Sequence, residues 1–150
     1  MKLKPNIGLE NIKFGMFQKM IYQSLGMPDK ITVDEDDADN IYLEYNKQRL
    51  RLTIYKNEDN RLGYLHSSSP DLVYNGLKII DKEIEWVKKE VFGDLVKNWE
   101  IDDYDFWSTH GDDKSWITLN VEFGRVKSVE IGAPWKNEDE YDWPAQWDVL

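Results

Sequence analysis

The sequence contains no cysteine and only two histidines. The first absence excludes disulfides, zinc sites built on thiolates and cysteine nucleophiles, and the scarcity of histidine leaves little for a histidine-based metal site. No stretch approaches the roughly 18 apolar residues of a membrane-spanning helix, and the first residues lack the apolar core of a signal peptide. We therefore predict a cytoplasmic protein that holds no metal and needs no cofactor.

Positive charge is also scarce. The 150 residues include 19 Lys and Arg against 29 Asp and Glu, which gives a net charge of −10. A strongly acidic chain repels phosphate groups, so we expect it to bind neither nucleic acid nor an anionic membrane. Its length suits a single domain with a sizeable core.

The carboxylates are concentrated in four runs, at 34–39, 102–105, 112–113 and 138–142. Seven tryptophans is a high number for this length, and five of them lie within or near the acidic runs: Trp107, Trp116, Trp135, Trp143 and Trp147. Tryptophan is enriched at the centres of protein interfaces, and its ring attracts cations. The combination favours a surface made for a cationic protein partner, although acidic runs also serve simply as solvated loops.

Two short helices are predicted. Apolar residues at three- and four-residue spacing predict the first over 17–25, followed by Gly26 and Pro28. The same spacing predicts the second over 81–92, with Asp81 as its N-cap. Alternation of apolar and polar residues predicts strands, which lie at 41–45, 49–55, 61–66, 96–101, 104–109, 116–123 and 125–131.

This order of elements predicts an α+β fold, with two tandem helix-plus-antiparallel-sheet repeats forming one domain. The first repeat covers about 8–70 and the second about 76–135, and an acidic, tryptophan-rich tail covers 136–150. The alternative is a single irregular sheet with two unrelated helices. The helices are expected to pack on one face of the sheet, with a core of Phe17, Ile21, Leu25, Leu43, Leu52, Ile54, Ile84, Val87, Val91, Leu119, Val121 and Phe123.

Residues 12–16 (IKFGM) and, eight residues further on, 25–29 (LGMPD) carry a short motif. It resembles the signature of the helix that opens each repeat in beta-lactamase inhibitor protein-like domains, which the outer-membrane assembly lipoprotein domains of the small-protein-A type share. The second half keeps a glycine stop at Gly93 but has neither the Gly-Met start nor the proline, and the lipidated cysteine of the lipoproteins is absent. The resemblance implies a helix-plus-curved-sheet repeat that binds proteins without catalysis.

The overall profile also resembles that of immunity proteins from bacterial competition systems, which bind and neutralise a cognate toxin domain. Nuclease toxins need basic surfaces to bind phosphate groups. Carboxylates on an inhibitor mimic these phosphates and increase the rate at which inhibitor and toxin meet. The profile thus predicts an immunity protein against a basic toxin, with a nuclease as the expected class. The alternative is a non-inhibitory protein-binding adaptor, and the sequence leaves the oligomeric state open.

No motif in the sequence names a reaction. His66 precedes three serines and His110 precedes Asp112 and Asp113, but neither stretch has the glycine pattern of a nucleophile elbow. The run at 34–39 lacks the glycine and the glutamate of a calcium-binding loop. We therefore predict no catalytic residues and no enzyme activity.

The segment 102–107 joins carboxylates and aromatic rings within six residues, which is the chemistry expected of a contact with a basic partner. Trp116 is expected across the sheet from it, and the run at 34–39 is a second choice. The alternative is that Phe106 and Trp107 pack in the core or at an edge while the aspartates solvate a turn. The predicted partner-binding residues are Asp102, Asp103, Asp105, Trp107, Trp116, Asp36 and Asp37.

Overall fold

The computed structural model describes residues 1–145, and strands dominate this part of the chain. In chain order they are β1 (Leu3–Lys4), β2 (Gly8–Leu9), β3 (Lys30–Val33), β4 (Asn40–Tyr45), β5 (Leu50–Tyr55), β6 (Arg61–Ser67), β7 (Val73–Tyr74), β8 (Leu77–Lys78), β9 (Glu100–Asp103), β10 (Trp107–Asp112), β11 (Ile117–Glu122) and β12 (Arg125–Gly132). The helices are α1 (Gln18–Leu25) and α2 (Ile84–Trp86), with a π-helical stretch at Val87–Val91 and a 3₁₀ turn at Lys56–Glu58. No helix in the described part of the chain is long and apolar enough to cross a membrane.

Eight strands form one antiparallel sheet in the order β3-β4-β5-β6-β12-β11-β10-β9. The strands of each half follow one another in chain order, and the two sets meet where β6 pairs with β12. At this junction Ser67 lies opposite Val129, and Leu65 lies opposite Ile131. The sheet is therefore one continuous surface, with β3 and β9 at its two edges.

One face of the sheet is apolar and forms the core. The alternating strands place Leu43, Leu52 and Leu119 on this face, where they are fully buried. Ile21 of α1 and Val87 of the π-helical stretch belong to the same buried cluster. Burial of such an aliphatic side chain contributes roughly 1.5–3 kcal/mol to stability. Both helical segments therefore help to hold the sheet from one side.

The predicted α+β fold of two tandem helix-plus-sheet repeats is wrong. The chain is mostly β, since 42% of it is in strands and 13% in helices, and the eight main strands form one sheet instead of two repeat units. The pairing of β6 with β12 accounts for the difference, because it merges the strands of both halves. The two helical segments are too short to give each half a helical layer of its own.

The second predicted helix, over 81–92, is shorter than expected and starts at a different residue. Asp81 does not cap it, because this residue has a φ of 66° and its carboxylate accepts a hydrogen bond from Lys127 Nζ at 2.8 Å. Glu83 caps α2 instead, since its side chain accepts hydrogen bonds from the backbone N–H groups two and three residues further on. The N-cap of α2 is therefore Glu83, two residues after the predicted N-cap, Asp81.

The strand prediction holds for β4, β5, β6, β11 and β12 and is less accurate elsewhere. The predicted strand at 96–101 begins as a turn, because the N–H groups of Leu95 and Val96 both donate to the Phe92 carbonyl, and β9 starts at Glu100. Strand β10 begins later than predicted, at Trp107. The four-residue strand β3 is absent from the prediction, since so short an alternation carries little signal.

Nine of the twelve predicted core residues are buried, so most of the core prediction is confirmed. Phe17 and Leu25 are half-buried, and Leu25 packs against the core. Phe123 is the exception, since it is 90% exposed. Phe123 and Gly124 have φ values of 51° and 74° and form the two-residue loop of the β11–β12 hairpin. The alternation of apolar and polar side chains in β11 therefore ends at Glu122, one residue before Phe123.

A close approach between β5 and β6 can be tested by a double-mutant cycle. The ring of Tyr55 packs on Gly63, and a Cβ atom at position 63 would clash with that ring. We expect Gly63→Ala to lower the free energy of unfolding by about 1–3 kcal/mol, because the ring has to move, and to cost much less in a Tyr55→Ala background. Urea unfolding of the four proteins measures both values, and strictly additive losses would contradict the contact.

Candidate functional site

The sheet register places the predicted partner-binding residues at different ends of the molecule. In the β10–β11 hairpin, Trp107 pairs with Glu122 at one end, whereas Trp116 directly precedes β11 at the other end. A six-residue strand is about 17 Å long. The expectation that Trp116 lies across the sheet from 102–107 is therefore wrong.

Asp36 and Asp37 lie further still from the segment 102–107. They belong to the loop between β3 and β4, at the edge of the sheet opposite to β9. Six strand spacings of about 4.8 Å separate β3 from β10, which amounts to about 29 Å along the sheet. The predicted residues therefore belong to two separate surfaces.

The first surface, the β9–β10 corner, combines exposed apolar side chains with carboxylates. Phe106 and Phe123 are among the most exposed side chains of their type, Phe106 at 80%, because both occupy hairpin loops at the same end of the sheet. The rings of Tyr104 and Trp107 stack at a centroid distance of 4.2 Å. The β9–β10 corner consists of Ile101, Tyr104, Phe106, Trp107, Phe123, Asp102, Asp103 and Asp105.

The exposure of this corner argues against core packing of Phe106 and Trp107. Trp107 is 42% exposed even though its ring stacks on a neighbour. Asp102 and Asp103 belong to β9, all four residues of which are exposed. None of the three carboxylates of the corner takes part in a salt bridge with any described residue. The corner therefore presents exposed aromatic rings and carboxylates without a salt-bridge partner at one end of the sheet.

The second surface, the acidic end, lies at the opposite end of the sheet and contains three of the four acidic runs. The register brings the β3–β4, β5–β6 and β10–β11 loops to this end, where the segment after β12 also lies. The N–H of Lys56 donates to the Asp39 carbonyl at 2.7 Å, and the N–H of Gly132 donates to the Trp116 carbonyl at 3.1 Å. Asp36, Asp37 and Trp116 are thus brought to one end. The acidic end consists of residues 34–39, 56–60, 112–116 and 134–142.

Stacked aromatic rings hold the acidic end together. Tyr141 stacks between Trp135 and Trp143, at centroid distances of 3.9 and 4.8 Å. Tyr55 of β5 approaches Tyr141 at 5.7 Å and links this ladder of rings to the sheet. The guanidinium group of Arg61 lies 5.9 Å from the Trp143 ring, within the range of a cation–π interaction. The rings therefore support one another and are linked to β5 and β6.

The predicted tail at 136–150 is described as far as Ala145. The N–H of Ala145 donates to the carbonyl of Phe14 at 3.0 Å, so the chain is fastened to the N-terminal part of the fold at this point. Residues 146–150, which include Trp147, lie outside the described residues.

A serine and a histidine meet on β10 next to the β9–β10 corner, since Ser108 pairs with Asp103 and His110 pairs with Ile101. Ser108 Oγ lies 3.0 Å from His110 Nε2, but His110 Nδ1 is buried and has no hydrogen-bond partner among the described residues. A catalytic triad has a carboxylate at that nitrogen to orient the ring, and this arrangement lacks it. Nor do residues 1–145 contain a group of three or more His, Asp or Glu side chains that could hold a metal ion.

Comparisons with known proteins bear on the fold. No protein-family model matches the chain, and no curated protein matches it. The chain is similar to the crystal structure of an extracellular protein containing a SCP domain from Bacillus anthracis str. Ames, with a TM-score of 0.51 and 10% sequence identity. The similarity covers 79% of this chain and 43% of that chain, so it spans less than half of that protein. At this identity, the likeness shows a shared fold alone.

Several aromatic residues of the two surfaces are missing from the predicted set. Trp135 lies just before the fourth acidic run and Tyr141 lies within it. Aromatic residues among carboxylates are also the pattern that singles out 102–107, so the same signal applies to both. Phe123 stands directly before the glycine of a hairpin turn, a position typical of an exposed loop. No local sequence pattern identifies Tyr55 as part of this surface, because the pairing of distant strands brings it to the acidic end.

The two histidines predict that stability depends on pH. Burial lowers the pKa of the His66 and His110 imidazoles below the usual value of 6.5. As the pH falls below about 6.5, the unfolded chain binds protons more readily than the folded one, so the free energy of unfolding is highest above this pH and decreases toward pH 5. Urea unfolding should show this decrease, and the decrease should be smaller in the His66→Gln, His110→Gln double variant. An identical pH profile in that variant would assign the effect to carboxylates instead.

Proposed function

We propose that this chain is an immunity protein that binds and neutralises a toxin domain with a basic surface, with a nuclease as the expected class, and that it has no catalysis of its own. The observation that carries this proposal is the β9–β10 corner, where four exposed aromatic side chains share one end of the sheet with three carboxylates that have no salt-bridge partner among the described residues. Large apolar side chains that are exposed close to one another often mark a protein-binding surface. The alternative, a non-inhibitory adaptor, would use the same surface.

The corner combines the two components of a protein-binding surface. Its aromatic side chains offer a large apolar area, and they lie on tight hairpins whose backbone is held by the sheet, so little conformational freedom is lost on binding. The stack of Tyr104 on Trp107 restricts both rings further. The neighbouring carboxylates attract Lys and Arg and repel acidic partners, which supplies specificity.

Neutralisation of a nuclease follows from the same chemistry. A nuclease domain holds its substrate with Lys and Arg side chains that contact phosphate groups. Carboxylates that bind these Lys and Arg side chains compete directly with nucleic acid. The net charge of −10 also attracts a basic domain from a distance and increases the rate of encounter.

One further observation supports a binding role without catalysis. The Ser108–His110 pair lacks the carboxylate that would orient the imidazole. The electrostatic part of the proposal can be tested separately from the aromatic part.

We expect the triple substitution Asp102→Asn, Asp103→Asn and Asp105→Asn to slow association with the basic partner and to flatten its dependence on salt. Exposed charges act at long range only within a Debye length, about 8 Å at physiological ionic strength, so the loss should be largest at low salt. The thermal unfolding midpoint should stay almost unchanged, because these carboxylates form no salt bridge with a described residue. Stopped-flow association at several salt concentrations measures the effect.

A matched control removes the same charge elsewhere. Glu10→Gln, Asp71→Asn and Asp94→Asn change three exposed carboxylates outside the corner and should slow association much less. Wild-type association of the corner variant at low salt would show that these carboxylates serve solubility and not recognition.

Protection of cells separates an immunity protein from an adaptor. The gene should lie beside one that encodes a large protein with a toxic C-terminal domain, and co-expression should protect cells from that domain. We expect the double substitution Phe106→Ala and Phe123→Ala to weaken binding by several hundredfold, because interface anchors contribute about 2 kcal/mol each, and to reduce protection. A neighbouring domain that kills cells equally well with and without this protein would leave the adaptor as the remaining function.

A further inference from the structure

The acidic end contains a cavity of about 310 Å³ that the proposed contact at the β9–β10 corner does not use. It lies between the β3–β4 loop, the 3₁₀ turn after β5 and the segment after β12. Aromatic rings and carboxylates both line it, so its walls and its rim differ in chemistry.

Three aromatic rings form the walls of this cavity, those of Tyr55, Trp135 and Tyr141. The Tyr141 ring lies 3.9 Å from that of Trp135 and 5.7 Å from that of Tyr55, so each ring is held by a neighbour. Trp135 nevertheless keeps 42% of its surface exposed. Aromatic faces in such an arrangement attract cations through the negative charge above the ring.

The rim of the cavity is negatively charged. Asp37 and Glu58 contribute carboxylates, and neither forms a salt bridge with any described residue. Among the described residues that line the cavity, none is basic. Eleven Asp and Glu against two Lys occur in the surrounding segments, at 34–40, 56–60 and 135–142.

The adjoining cavity, of about 280 Å³, has a cation over an aromatic ring, and this cation belongs to the chain itself. It shares Asn40 and Tyr55 with the first cavity and is lined by Arg51 and Tyr42. The Arg51 guanidinium group lies 4.7 Å above the Tyr42 ring. An arginine of the chain therefore lines the second cavity and lies over an aromatic ring, whereas the described residues that line the first provide rings and carboxylates but no cation.

We propose that the first cavity is a cage for the guanidinium group of an arginine side chain. A planar guanidinium group stacks on the exposed part of Trp135, while its N–H groups donate to the carboxylates of Asp37 and Glu58. Asn40 and Asn57 also line the cavity, and their side-chain carbonyl oxygens accept further N–H groups. Arginine suits this site better than lysine, because it offers five donors in a planar fork and a flat face.

For the source of the arginine, this inference rests on the proposed function, since a basic partner protein supplies such side chains. The cage would then be a second contact, at the end of the sheet opposite to the β9–β10 corner. Its chemistry can be tested without any partner, because an arginine peptide is a sufficient probe.

The test is a titration of the full chain with the peptide acetyl-Gly-Arg-Gly-amide, followed by NMR. We expect saturable binding with a dissociation constant of about 1 mM, as suits a small flexible ligand, and a shift of the Trp135 indole N–H signal, which Trp135→Phe identifies by its absence. The same peptide with citrulline, a neutral analogue of nearly the same shape, should bind roughly tenfold or more weakly, since it lacks the charge.

A matched pair of variants tests the carboxylates. Asp37→Asn with Glu58→Gln should weaken binding of the arginine peptide roughly tenfold. Asp36→Asn with Asp59→Asn removes the same charge from the same two loops, but neither residue lines the cavity, so binding should stay within about twofold of wild type. Absence of saturable binding, equal binding of the citrulline peptide, or equal losses in the two double variants would each overturn the cage.

The outcomes for the cage and for the proposed function are distinguishable. Protection from the toxin without binding of the arginine peptide would remove the cage and keep the immunity role. Binding of the peptide by a chain that protects against no toxin would keep the cage and remove that role. Unchanged affinity of the Asp37→Asn, Glu58→Gln variant for the toxin would contradict the inference that the partner supplies the arginine.

Discussion

The pairing of β6 with β12 is the interaction on which the rest of the structure depends. It joins two sets of four strands into one sheet and sets Leu65 against Ile131 in the core. The Gly63 carbonyl accepts a hydrogen bond from the Ala133 N–H at 3.0 Å just beyond this pairing, and so directs the chain after β12 back toward the first half. Without this junction, the aromatic ladder would not reach Tyr55, and the loops of the two halves would not share one end.

Local patterns were sufficient for much of the secondary structure but not for its assembly. Alternation predicts β4, β5, β11 and β12 because each strand buries one face, and this property is visible within six or eight residues. The partner of a strand is not visible there, so the merging of the two halves could not be predicted. Asp81 and Glu83 show the same limit on a smaller scale. Either could cap a helix, and contacts with the start of β12, distant in the sequence, decide between them, since the Asp81 N–H donates to the Val126 carbonyl at 2.7 Å.

For the candidate surfaces, too, the sequence shows the composition of each segment but not the register of the strands. The sequence identifies segments in which carboxylates and aromatic rings occur together, since this property is local. Whether two such segments share a surface depends on the direction of each strand, because successive loops of an antiparallel sheet alternate between its ends. Trp107 and Trp116 are close in sequence yet lie at opposite ends of one hairpin, whereas Asp37 and Trp135 are far apart in sequence and line one cavity.

The two edges of the sheet differ in how they meet an additional strand. An edge strand exposes unpaired backbone N–H and C=O groups, which can pair with another chain and lead to aggregation. On β9, Asp102 and Asp103 place negative charge beside these groups, whereas β3 carries the exposed side chains of Ile31 and Val33 with a single charge at Lys30. The carboxylates of β9 therefore disfavour pairing of this edge with another strand, whereas the edge formed by β3 carries less charge to oppose such pairing.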